Sequence, residues 1–467
     1  MIKRQDSSSI NSGDNSWLLI CSALVFIMIP GLGFYYSGFG YPKNAILPII
    51  LCFISLSVIS IQWTLFGYSL SFSDKSKSYF IGDFYYGLFI NIGENINLVA
   101  PTVPAVTFAI FQCIFCAITS AISIGSVSNR IRILPTTLFF FLWATFVYDF
   151  IAYWNWSPNG WLNKLGVYDY AGGTVVHING GATGLILAYF LDGLKKKKSI
   201  ELPNHNIVNI IIGTFLLWFG WFGFNAGSGY KADVRSGYAF YNSNLAACVG
   251  GLTWMILGNI SSSSPISFKD WKYSITNFCS GSIAGLVAIT PAAGFVNVWS
   301  SPIFGITASI SSFYASILIN NFGFNDYLNV FGCHGVSGLV GSILTGVFAS
   351  KKVASYSGTD IKGGWVNGNF VQVPIQLLAS ITTLAWASLI TYILCHAINY
   401  FSVFKFEQSD AEDIDMVETG EFAYNYVQIK DVVIIESEPE TLENTTVEKS
   451  SEPDFYYTSS TAPSSSR

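Results

Sequence analysis

The sequence predicts an all-α polytopic membrane protein of eleven transmembrane helices, arranged as two inverted five-helix repeats plus an extra C-terminal helix. Three observations predict it. The 467 residues have a mean hydropathy of +0.46 and 11% charged side chains, against about 25% in a soluble domain. The apolar residues gather into eleven runs close to the ~20 residues a helix needs to cross a bilayer. Finally, the pattern H-x-x-x-G-x-x-G occurs twice at an interval of 157 residues: His177 with Gly181 and Gly184, and His334 with Gly338 and Gly341.

The elements follow in order. Residues 1–16 are polar and read as an extracellular tail. Span 1, expected at 17–39, is longer than the core of a cleavable signal and should be retained. Spans 2 to 5 are expected at 45–70, 103–127, 134–154 and 172–193. Spans 6 to 10 are expected at 207–228, 238–258, 274–291, 299–320 and 332–349, and span 11 at 372–400. Five spans per repeat is an odd number, so the second repeat (207–349) enters from the opposite face to the first (17–193). The histidine patterns then fall in the last span of each repeat. A weaker echo, CAITSA at 116–121 against VAITPA at 287–292, pairs span 3 with span 8.

Charge divides the chain. Residues 1–404 carry 13 acids and 19 bases; residues 405–467 carry 15 acids and 4 bases. A mildly basic membrane domain (17–400) therefore carries an acidic tail (401–467), cytoplasmic by the lysine cluster Lys195 to Lys198 after span 5. The distal tail has the composition of a disordered segment. All eight cysteines fall in apolar runs and read as packing residues. No cofactor is indicated, nor a metal site, because no further ligand sits at ligand spacing beside the histidines. Nothing marks a nucleic-acid partner, and no nucleophile–base pair suggests an enzyme.

The chemistry concentrates in few residues. An ionisable side chain inside a span is costly and marks function by default. His177 and His334, as a repeated pair, point to a pathway between the repeats. Imidazole donates, accepts or passes a proton near neutral pH. Asp169, eight residues before His177, reads as a helix N-cap and equally as a fixed negative charge that attracts a cation. The third group is aromatic: Phe111 and Phe115 one turn apart in span 3, WFGWFGFNAGS (218–228) in span 6, and YWNWSPNGW in the loop after span 4. Aromatic faces anchor spans at the interface or hold ammonium-type cations, and the Ser228 hydroxyl has lone pairs for such an ion. A mouth that collects cations, an aromatic barrier and two imidazoles in an apolar channel suit a small, weakly basic solute that sheds a proton. Ammonium fits that description.

At these residues the chain resembles the Amt/Mep/Rh ammonium transporter superfamily, in its Amt/Mep branch. The carrying motifs are PGLGFYYSG (30–38), FQCIFCAIT (111–119), DYAGGTVVHINGG (169–181), WFGWFGFNAGS (218–228), NSNLAACVGGLTW (242–254), AGLVAITPAAGFV (284–296) and FGCHGVSGLVG (331–341), with DIDMVETGEFAY (413–424) similar to the tail of microbial members. The resemblance implies a homotrimer in the plasma membrane, N-terminus outside and C-terminus cytoplasmic. Each subunit would move ammonium or ammonia, and methylammonium, through a twin-histidine pore. It further implies an external ammonium site at Phe111, Phe115, Trp156, Ser228 and Asp169, a gate of Phe115 and Phe224, and a pore of His177, His334 and Trp221. An ammonium sensor and an Rh-type NH3/CO2 channel are the alternatives. The tail, rich in Ser, Thr and Tyr, would meet cytosolic regulators or kinases. Departures gather on the expected inner face: Asn129-Arg130 stands for an acidic-basic pair, the Asp usual five residues before the second histidine is Asn329 with Asp326 nearby, and Lys43 alone remains of the bases after span 1.

Overall fold

A computed structural model describes residues 10–93, 95–195, 204–261, 271–406 and 413–424. Its apolar helices follow the expected order. Span 1 is Ser12–Ser37; it starts five residues early because the Asn11 side chain accepts the Gly13 and Asp14 N–H groups, the usual N-cap. Span 2 runs Leu47–Gln62, passes a π-helical turn Trp63–Gly67 and ends at Tyr68–Phe72. Span 3 is Ala105–Ile124. Span 4 joins Ile133–Trp143, a π turn Ala144–Tyr148 and Asp149–Trp156. Span 5 is a π turn Gly173–Ile178 followed by Asn179–Asp192; span 10 repeats this as Phe331–Val336 followed by Ser337–Phe348. Spans 6, 7, 8, 9 and 11 are Ile207–Gly227, Val234–Ile260, Ile275–Ile289, Ser301–Asn321 and Gln372–Phe401.

Ten of these are long and apolar enough to cross a bilayer; the eighth, Ile275–Ile289, has 15 residues, about 22 Å of helix. Pro291, two residues beyond it, has no N–H with which to continue the ladder, and turns followed by a 3-10 helix at Val298–Ser300 lead into span 9. The YWNW segment, read from the sequence as loop, is instead the last helical turn of span 4, Asp149–Trp156. Its Tyr153 and Trp154 rings are buried, and the turn signalled by Ser-Pro-Asn-Gly follows it, closed by the Gly160 N–H donating to the Ser157 oxygen.

The packing is duplicated. Span 3 lies against spans 2 and 5, and span 8 against spans 7 and 10; span 1 packs on span 6, and span 5 on span 10. Span 11 leans on spans 4, 5 and 10, outside this pattern. Glycines permit the central contact. A Cβ on Gly181 would come within 2.4 Å of the Gly335 nitrogen, and one on Gly338 within 2.9 Å of the Gly173 oxygen and 3.2 Å of the His177 Cβ. Spans 5 and 10 thus cross backbone to backbone through the repeated glycines, as small residues allow.

Candidate functional site

Both histidines sit in π turns at the start of their spans, a distortion that recurs at functional sites because it re-aims side chains. The two rings stack, with centroids 5.3 Å apart, and their Nδ1 atoms are 3.2 Å from each other. The Trp221 ring stacks on His177 at 5.3 Å, and the Trp221 indole N–H donates to Thr290 Oγ1. His177 Nε2 is buried without a hydrogen-bond partner. The histidines border a narrow cavity of about 10 Å³ otherwise walled by apolar side chains such as Ile118, Leu217 and Ile283, room for about one small molecule. Among the described residues no three His, Cys, Asp or Glu side chains are grouped as metal ligands.

Beyond His177 aromatic rings stack on one another. Phe115 and Phe224 stack at 4.0 Å and 13°, Phe224 is 6.1 Å from His177, and both phenyl rings are fully buried. On the far side of Phe115 lie Phe111 at 4.7 Å and Trp156 at 6.1 Å. The Ser228 hydroxyl donates to the Phe224 oxygen, so its proton is used and its lone pairs remain. The fold therefore brings Phe111, Phe115, Trp156, Phe224, Trp221, His177 and His334 into one file. Two aromatic residues of span 6 stand apart: Phe222 stacks on Phe240 and Trp218 on Phe278.

Asp169 organises one end of this file. Its carboxylate accepts from the N–H groups of Gly172, Gly173, Thr174 and Val175 at 2.7–3.2 Å, and its carbonyl accepts the Trp156 indole N–H. Gly172, at φ +110°, makes the left-handed turn that aims these donors. Asp326 does the same at the other end, accepting from Val330 and Phe331. For both carboxyls burial is the largest influence and raises them above the ordinary carboxylate range, while the amide donors oppose it. Asp326 stands eight residues before His334, as Asp169 stands eight before His177. Asn329, where the sequence departs from the family's aspartate, is at φ +53°, a turn position suited to Asn, and the carboxylate that caps span 10 is that of Asp326. The signal was in the sequence: the 157-residue interval that pairs the histidines also pairs the aspartates.

Around the Asp326 end, Arg130 donates to the Asn325 oxygen and to Asn129, and lies 2.9 Å from Asp192. Lys405 pairs with the same Asp192 at 2.7 Å. The tail helix Ile414–Thr419 docks here. The Asp415 carboxylate accepts from Ala45, Ile46 and Leu47 at the start of span 2. Glu418 pairs with Arg132 and accepts from Ile133 at the start of span 4. Lys196 to Lys198 and the chain beyond Tyr424 lie outside the described residues, as does the expected disorder of the distal tail.

A family model described as Ammonium Transporter Family matches residues 16–424. The chain is 38% identical to Ammonium transporter 1 of Schizosaccharomyces pombe over 421 residues, 89% of this chain and 83% of that protein. It is 38% identical to Ammonium transporter MEP2 of Saccharomyces cerevisiae, over 87% of this chain and 82% of that protein. The crystal structure of Candida albicans Mep2 superposes with a TM-score of 0.81 at 37% identity, covering 91% of this chain and 93% of that one. With its duplicated helices and its file of rings and imidazoles, the chain belongs to the Ammonium Transporter Family.

Proposed function

We propose that the chain moves ammonium across the plasma membrane, taking NH4+ at the Asp169 end and passing it as NH3, with or without the separated proton, along the His177–His334 file. One observation carries this reading: two stacked imidazoles in an apolar cavity, closed by two stacked phenyl rings. Such a passage offers no oxygen cage to replace the hydration shell of Na+ or K+, but it suits a solute that loses its charge by giving up a proton.

In this reading Phe111, Phe115, Trp156 and Ser228 hold the cation, by ring faces worth about 0.5–2 kcal/mol each when desolvated and by the free lone pairs of Ser228. Asp169 holds the mouth together and supplies a fixed negative charge. Phe115 and Phe224 are the gate, and His177, His334 and Trp221 line the pore. The Asp169 end faces outside and the docked tail is cytoplasmic, which places Lys43, Arg130, Arg132 and Lys405 on the inner side as the charge rule favours. The assembly is a homotrimer in the lipid bilayer with one pathway per subunit, and the tail is where cytosolic regulators or kinases would act.

The test is growth. In yeast lacking its own ammonium transporters, the chain should restore growth on low ammonium and confer sensitivity to methylammonium. Surface-expressed protein that does neither would overturn the reading.

A further inference from the structure

Arg235 is a buried cation that the pathway above does not use. It is the second residue of span 7 and 6% exposed. None of the ion pairs among the described residues includes it. Its contacts are instead neutral. Nε–H donates to the Gly294 oxygen at 2.7 Å, and Nη1 donates to Ser357 Oγ at 3.1 Å and Thr359 Oγ1 at 2.9 Å. The guanidinium lies over the Tyr170 ring at 4.8 Å and over the Phe295 ring at 4.6 Å. Only a flat cation with several fixed donors fits such a place; a lysine ammonium reproduces neither the stacking nor the fork.

The ring under the guanidinium adjoins the cation site on two sides. Tyr170 directly follows Asp169, and its N–H donates to the Pro291 oxygen. Its ring fills a slot bounded by two glycines: a Cβ on Gly294 would come within 2.2 Å of the ring, and one on Gly229 within 2.7 Å of the hydroxyl. Gly229 directly follows Ser228. Arg235, Tyr170 and the two glycines therefore form one stack that joins the Asp169 turn to the Ser228 turn. The phenyl gate and the histidine pair make no contact with Arg235 in any of its bonds.

We propose that Arg235 is a positioning residue of the cation site at the Asp169 end: through the Tyr170 ring it keeps Asp169 and Ser228 in register, so that its loss weakens capture of the cation more than it slows passage. This rests on the transport reading given above. Radiolabelled methylammonium uptake, with surface protein quantified, separates the two in yeast lacking its own ammonium transporters. Arg235→Lys and Arg235→Gln should each raise KM about fivefold, the scale of a buried cation–π contact, with the maximal rate per surface molecule nearly unchanged. Tyr170→Leu should do the same, and Arg235→Gln combined with Tyr170→Leu should be no worse than either alone, because they share one route. If the arginine variants do not reach the surface, Ser357→Ala with Thr359→Val removes the Nη1 acceptors while keeping the guanidinium on the Tyr170 ring, and a smaller rise in KM is expected. An unmoved KM, or a fall in maximal rate alone, overturns the proposal. A parent chain without uptake overturns the transport reading and this one with it; parent uptake with an unmoved KM overturns this one alone.

Discussion

The Nδ1 atoms of His177 and His334 face each other at 3.2 Å. At that distance one must carry the proton and the other accept it, so the two rings share a defined pair of tautomers and act as a unit. Substituting one should therefore disturb both. His177→Ala and His334→Ala should each lower methylammonium uptake by roughly a hundredfold, the lower range for a positioned proton-transfer group, or let alkali cations through. Uptake and membrane current measured in the double alanine variant decide this; conduction like the parent's removes these residues from the pore.

The crossing of spans 5 and 10 is closed to side chains. Gly181→Ala would press a methyl against the Gly335 nitrogen and should lower stability by about 1–3 kcal/mol, as overpacking does. Gly237, with nothing within 4 Å of its would-be Cβ, is the control: Gly237→Ala should leave melting in detergent unchanged or slightly raised. Equal melting of the two variants would mean that the crossing is looser than this geometry.

Asp326 caps span 10. Asp326→Ala frees the Val330 and Phe331 N–H groups in a buried setting and should cost about 1–2 kcal/mol. Asn329→Gly, at a left-handed turn, should be neutral within a few tenths of a kcal/mol. Thermal melting of the two purified variants distinguishes them, and a larger loss for Asn329→Gly would refute the assignment.

Docking of the tail depends on Asp415. Its carboxylate satisfies three orphan N–H groups at the start of span 2, so Asp415→Ala should loosen residues 413–424. Hydrogen exchange should rise in that segment and at Ala45–Leu47 while the pore helices stay protected. Unchanged exchange would show that Glu418 and its pairing with Arg132 suffice. Truncation after residue 430 removes none of these contacts and should leave uptake nearly intact.

Hydropathy and spacing alone determined much of this protein. Charge is too costly in a bilayer to be scattered, so the runs of apolar residues declared the spans, and a repeat detectable in two histidines and four glycines declared the duplication. Chemistry confined to so few polar positions also made His177, His334 and Asp169 stand out as candidates. Span 8 and the end of span 4 were less legible at their boundaries. There, Pro291 and the inward-packed Trp154 and Trp156 set the limits, and packing is not written in local composition. The tertiary structure alone decided what meets across long intervals. It put Phe115 against Phe224 and aimed the two imidazoles through π turns that no periodicity announces. It also laid Arg235 on Tyr170, 65 residues away in the chain. Such contacts depend on the crossing of helices at glycine, where a single methyl group decides whether two backbones can touch.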